Sequence, residues 1–135
     1  MNNVDILLSL DTEAIKFDNE RELEIKRLSE AAGRPFVVKV QGISARRFTR
    51  IVNGVSDAKK GVQTDRAYEA NISLALAGLV DPSMKDEKLL QKFSCSTPAE
   101  LLEKLFRPSE IGVMADTITE LSGFGSDDVV EEVKN

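Results

Sequence analysis

The sequence contains no histidine and no tryptophan, one tyrosine and one cysteine. Without histidine, the commonest general base and metal ligand near neutral pH is missing. Every Ser-His-Asp or Cys-His catalytic arrangement is excluded with it. The lone Cys95 has no partner for an internal disulfide, which fits a reducing compartment. A single cysteine with no histidine cannot build a zinc finger. Cys95 lies in "FSCSTP" between two helical stretches, and no basic residue is nearer in sequence than Lys92. It therefore reads as an ordinary loop residue, because an activated thiolate needs an electropositive setting. No apolar run approaches the roughly 18–20 residues of a membrane helix. The N-terminal "MNNVDILLSLDTE" has no Lys or Arg ahead of its apolar stretch and no small-residue cleavage pattern, so a signal peptide is not expected. Aromatic residues make up only 5% of the chain, so the core must be built from Leu, Ile, Val and Ala with a few Phe.

Phosphate and metal motifs are scarce as well. "SGFGSDD" lacks a third glycine, follows a helix instead of a strand, and ends in acids that would repel phosphate. It reads as a helix cap and turn. Asp127, Asp128, Glu131 and Glu132 read as a solvated helix face and not as a cation site. No cofactor and no catalytic residue is expected, and the chain is not expected to be an enzyme.

What is present is helix punctuation. The 135 residues, 41% hydrophobic and 30% charged, suit one globular domain spanning 1–135. Its N-terminal half, 1–55, contains a hairpin, and its C-terminal half, 56–135, is helical. Val4, Leu7 and Leu8 have helical spacing within a short helix over 4–10. In "RELEIKRL" the period changes to two, with Leu23 and Ile25 on one face. "SEAAGR" follows as a turn around Gly33, and in "PFVVKVQG" Phe36, Val38 and Val40 share the face of a second strand. Two strands alone are marginal in water, so this hairpin must lie on helices or join more sheet. The fold class expected is α+β: a mainly α-helical domain with one antiparallel β-hairpin, about residues 21–41, packed on short helices.

Ser44 is placed to cap "ARRFTRIVNG", with Gly54 as a left-handed end. Thr64 or Asp65 begins a longer, alanine-rich helix that is apolar on several sides and belongs at the centre of the core. Asp81-Pro82 stops it. Three short helices come next. Leu89, Leu90 and Phe93 mark the first. Thr97, Pro98 and Glu100 form a capping box for the second, and Leu101, Leu102, Leu105 and Phe106 face inward. Pro108 breaks that helix and Ser109 starts the third, where Ile111, Met114, Ala115, Ile118 and Leu121 form one apolar stripe. Gly112 interrupts it at a cost of about 1 kcal/mol relative to Ala, which close approach of another helix would explain. A final helix is expected from Ser126 or Asp127, with acids in its first turn.

The net charge of -5 is unevenly spread. Between Arg34 and Arg66 lie eight basic residues (34, 39, 46, 47, 50, 59, 60 and 66) against Asp57 and Asp65. An acidic chain suits sequence-blind nucleic-acid binding poorly, because phosphate neutralisation dominates that affinity. No aromatic residue is interleaved with Arg46, Arg47 and Arg50 for base stacking. A small nucleic-acid-binding regulator using segment 34–66 is nevertheless the alternative reading of this chain.

"VDPSMKDEKLLQKF" followed by "TPAELLEKLFRPSEIGVMADTITELSGF" resembles the C-terminal half of the XkdN-like phage tail assembly chaperones of Gram-positive phages and prophages. The order is shared: a proline after the central helix, K-D-x-x-L-L, T-P-x-E-L-L, a proline break, E-I-x-x-x-A-D and E-L-S-G-F. The resemblance is strong for Asp81 to Phe124 and one of layout for Met1 to Val80. It implies a cytoplasmic protein of the bacterial host that binds the tape measure protein, keeps it soluble and promotes polymerisation of the tail tube around it. Such a protein is absent from the mature virion. Its partners would be the tape measure protein, the tail tube protein and other copies of itself, with no membrane. The family offers no catalytic residues. Two surfaces are candidates for the client: the basic group Arg46, Arg47 and Arg50, and the stripe Ile111, Met114 and Ile118, if its helix leaves a groove open.

Overall fold

The computed structural model describes residues 2–15, 19–58, 66–125, 130, 132 and 133. They form seven α-helices and a small three-stranded antiparallel sheet, the mainly helical α+β class expected. The order is α1 (Asn3–Ser9), a 3-10 turn (Thr12–Ile15), β1 (Glu20–Glu24), α2 (Lys26–Ala32), β2 (Val37–Gln41), α3 (Ala45–Ala58), α4 (Arg66–Gly78), β3 (Leu79–Asp81), α5 (Glu87–Lys92), α6 (Pro98–Leu105) and α7 (Pro108–Leu121).

The strand pair is antiparallel, with Leu23 opposite Val38 and Arg21 opposite Val40. The period-two reading of β2 is met, since Val38 and Val40 are wholly buried. Two details differ. Ile25 is not a strand residue: it precedes α2 as its N-cap, and "SEAAGR" supplies most of that helix, which ends on Gly33 at φ 70°. The connection is thus a whole helix, held by the Phe36 amide donating to the Ser29 hydroxyl at 2.7 Å. The second difference is β3, which lies on the other edge of β2 and makes the sheet three-stranded. It supplies the extra pairing that a lone hairpin lacks.

α3 also runs past its expected end. Gly54 sits inside it, not at a left-handed cap. The apolar spacing continues through Val52 and Val55, so the helix has reason to propagate beyond Asn53-Gly54. The Ser44 cap is present: its hydroxyl accepts from the Arg47 amide at 3.2 Å. The starting residues expected for α4, Thr64 and Asp65, and the final helix at 126–127 lie outside the described residues.

The core joins both parts of the chain. Ile25, Val38 and Val40 pack in one cluster with Ile72, Ala75, Met84, Leu101, Leu102, Phe106, Ile111, Met114 and Ile118. Each fully buried Leu or Ile contributes about 1.5–3 kcal/mol relative to exposure. α4 is central, as its all-round apolarity implies, and touches α3, α6, α7 and β2. At Gly78 it runs tight against its neighbours. A Cβ there would lie 2.7 Å from both the Gln41 carbonyl oxygen and the Ile118 Cγ1. Gly112 is different: a Cβ would meet only the Asn71 Nδ2 at 3.8 Å. Close helix approach therefore does not account for it.

The caps work as read, with one change of partner. Thr97 accepts from the Glu100 amide at 3.2 Å. The Glu100 carboxylate reaches back to the Ser96 amide, also at 3.2 Å, one residue beyond the expected one. Pro108 both ends α6 and opens α7, where its missing N–H costs nothing.

Candidate functional site

The two candidate surfaces have opposite fates. Ile111, Met114 and Ile118 are at 0% exposure, turned into the core against α4 and the sheet. In this conformation α7 offers no open groove along that stripe, and Met114 serves packing. Arg46, Arg47 and Arg50 are all exposed on α3. They line two neighbouring depressions that share Arg50. Arg47 and Arg50 turn to one side of the helix and line a groove between α3, α4 and the start of α6. Arg46 and Arg50 flank a shallow outer depression with Ala45, Thr49 and Asn53.

The groove has a volume of about 700 Å³. Its apolar lining comes from Ile51 on α3, Leu76 and Ala77 on α4, Leu79, Met84 and Ala99. The cations Arg47, Arg50 and Lys85 stand among its lining residues, and among the described residues no carboxylate does. The local reasons are simple. α4 carries a second apolar edge, Leu76 and Ala77, besides the buried Ile72, Leu74 and Ala75. The small Ala99 in the first turn of α6 leaves space that a larger side chain would fill. Met84 is 4% exposed and closes the floor. These residues were not singled out in the sequence. The available signal was the apolarity of α4 on several sides, which one core cannot cover completely.

The wall formed by α3 is anchored at its N-terminal end. Phe48 stacks on Phe124, with ring centroids 4.4 Å apart. The Ser122 hydroxyl accepts from the Ile43 amide at 2.8 Å and donates to the Ile118 carbonyl at 2.6 Å. "ELSGF" thus fixes the entry to the basic helix.

A smaller cleft of about 320 Å³ lies between β1, the start of α2 and α7. Its charged pair is already satisfied. The Arg27 guanidinium grips the Glu110 carboxylate at 2.9 and 3.1 Å and also donates to the Leu105 carbonyl at 2.8 Å. The Glu110 carboxylate in turn accepts from the Arg107 amide at 2.8 Å. The hydrogen bond from Arg27, aided by the Arg107 amide, holds the Glu110 carboxyl below its ordinary range although burial opposes this. The arrangement caps α7 and clamps α2 to it. Among the described residues no group of three or more His, Cys, Asp or Glu side chains is placed to hold a metal. No described helix is long and apolar enough to cross a membrane.

The described residues thus form a small α+β fold with a helix-walled apolar groove bordered by cations. Along residues 4–134 the sequence matches the model of the phage XkdN-like tail assembly chaperone proteins, and the chain belongs to that family. The fold is similar to the crystal structure of the protein YqbN, a structural genomics target, with 17% identity, a TM-score of 0.53, and coverage of 79% of this chain and 88% of that one. No curated protein matches the chain.

Proposed function

We propose that this tail assembly chaperone binds the tape measure protein in the host cytoplasm, keeps it soluble, and promotes polymerisation of tail tube subunits around it. It then leaves, and is not part of the mature virion. A tape measure chain outside its tube exposes apolar helical stripes, which aggregate unless covered. The groove is the observation that carries this reading: an apolar floor for such a stripe, with Arg47, Arg50 and Lys85 beside it for flanking acids. No catalytic group is needed for that task. The chain acts in this reading as one domain, because both halves contribute to the core that supports the groove.

The test is a pull-down of tape measure protein by the wild type and by Arg47→Glu/Arg50→Glu. Both residues are exposed, so the variant should fold. Capture by the wild type and its loss in the variant is the expected result. Equal capture would remove the groove from the mechanism. A nucleic-acid role would show instead as a salt-dependent mobility shift of DNA. Among the described residues no aromatic side chain lines the groove, which argues against it.

A further inference from the structure

The outer edge of β1 is open. The sheet order is β1-β2-β3, so β2 covers one side of β1, and among the described residues no strand covers the other. The register says which backbone groups are left there. The Gly42 amide donates to the Asn19 carbonyl at 2.7 Å, and the Ile25 amide donates to the Phe36 carbonyl at 3.0 Å. Both bonds continue the β1–β2 ladder at its two ends. In an antiparallel pair, residues that bond across the pair alternate with residues that do not. Asn19, Arg21, Leu23 and Ile25 therefore turn their backbone to β2. Glu20, Glu22 and Glu24 turn their N–H and C=O groups outward.

Side chains at this edge sort by face. Arg21 and Leu23 lie opposite Val40 and Val38, which are wholly buried, so they stand on the core side of the sheet. Glu20, Glu22 and Glu24 stand on the other face, exposed. Glu22 is opposite Lys39, but Glu20 and Glu24 are opposite Gln41 and Val37, which carry no positive charge. Charges on an edge strand normally deter pairing. Here they deter chains of like sign, a second copy included, whose glutamates would face these. A basic strand is attracted instead.

Beside this edge lies the cleft of about 320 Å³ between β1, α2 and α7. Leu23, Ile25 and Val113 are its apolar lining, and Val113 is 55% exposed. A helix about 10 Å across would fit less than one turn there. The alternate side chains of a strand fit it better, because they reach the cleft while the backbone stays at the edge.

We propose that β1 accepts an added antiparallel strand from another protein, an extended segment in which basic and aliphatic residues alternate. Its basic residues sit opposite Glu20, Glu22 and Glu24 and exchange backbone hydrogen bonds with them. Its aliphatic residues point to the core side and cover Leu23, Ile25 and Val113. Main-chain bonds supply the affinity and the alternation supplies the choice of partner. This surface shares no lining residue with the α3–α4–α6 groove, so the inference stands apart from the client proposed for that groove.

The probe is a capped seven-residue peptide, Val-Lys-Val-Lys-Val-Lys-Val, titrated into the full chain while amide hydrogen exchange is followed. Binding with a Kd below about 1 mM is expected, weakening as salt screens the charges. The amides of Glu20, Glu22 and Glu24 should exchange at least about tenfold more slowly at saturation. Methylating the backbone nitrogens of the lysines should abolish binding, whereas methylating those of the valines should spare it, because only the lysine amides face β1. Glu20→Lys/Glu24→Lys should bind at least about tenfold more weakly, and Val113→Gln severalfold more weakly. Both alter exposed side chains, and Arg47→Glu/Arg50→Glu should bind the peptide as the wild type does. No binding at about 1 mM overturns the inference. So does binding that leaves the three amides unprotected, or that tolerates methylated lysine nitrogens, since either means charge attraction without strand pairing. Equal binding by Glu20→Lys/Glu24→Lys, or loss of binding in Arg47→Glu/Arg50→Glu, places the peptide elsewhere and overturns it as well.

Discussion

Phe48 and Phe124 stack with their ring centroids 4.4 Å apart and their planes 24° from parallel. One ring belongs to the helix that carries Arg46, Arg47 and Arg50, and the other to the turn that ends α7. The basic wall of the groove is therefore tied to the most buried helix of the core. Aromatic pairs of this kind contribute about 0.5–1.5 kcal/mol beyond area burial. Phe48→Ala should loosen α3 and lower client capture while leaving the remaining helices folded. Hydrogen exchange of the α3 amides alongside the pull-down checks this: protection lost in α3 alone, with weaker capture, is expected.

The glycines divide into two groups. Gly78→Ala should destabilise by about 1–3 kcal/mol, because the new methyl meets the Gln41 carbonyl oxygen, which cannot swing aside as a side chain can. Gly42→Ala should do the same against the Leu121 and Ser122 backbone. Gly112→Ala and Gly54→Ala should stabilise by about 0.5–1 kcal/mol, as helical positions with room for a Cβ. Urea denaturation of the four variants separates the groups by sign.

Met114→Ala should cost about 2–5 kcal/mol, since the side chain is wholly buried among α4, α7 and the sheet. A fall in client capture by this variant should track the unfolded fraction. Thermal melts and capture measured on the same samples decide whether Met114 acts only through the fold.

The pair Arg27–Glu110 makes stability depend on acidity. The Glu110 carboxyl is held below its ordinary value, first by the Arg27 hydrogen bond. A carboxyl that is more acidic when folded stabilises the native state above its unfolded pKa of about 4.3. That contribution fades as pH falls through the folded value. Glu110→Gln should therefore flatten the decline in melting temperature below about pH 4.5 and lower the melting temperature near neutrality. Tyr68 behaves in the opposite sense. Burial first, and then its hydrogen bond to Glu103 at 3.1 Å, raise its phenol above the ordinary value. Its support for the fold is complete below the unfolded pKa of about 10 and is lost as pH rises through the folded one. Tyr68 is the sole tyrosine and there is no tryptophan, so ultraviolet titration reads it alone. Glu103→Gln should bring the midpoint down.

Much of the fold was legible because local grammar and packing agree. Thr97-Pro98 at the start of α6, Pro108 at α7, the 3–4 stripe from Ile111 to Leu121 and the alternation of Val38 and Val40 each point the same way as the tertiary structure. Failures came where two local signals competed. In "RELEIKRLSEAAGR" the alternation of Leu23 and Ile25 ran into a helix whose N-cap, Ile25, makes no side-chain capping bond. At Asn53-Gly54 a stop signal was overridden by a continuing apolar face. β3 has only three residues, too few for any period to show. The groove was harder still. Its lining comes from α3, α4, α6 and the segment before α5, so it exists only after tertiary assembly. Sequence reading grouped Arg46, Arg47 and Arg50 and set the Met114 stripe beside them as a second candidate, because an apolar stripe looks the same whether it meets its own core or a partner.

Co-expression of the tape measure protein with the wild-type chaperone, with Arg47→Glu/Arg50→Glu, and with no chaperone, followed by measurement of its soluble fraction, puts the groove's role to the proof. Soluble tape measure protein with the wild type, and a pellet in the other two, is the expected result. A tape measure protein that stays dispersed and is enclosed normally without the chaperone, or one protected equally by the charge-reversed groove, would contradict it.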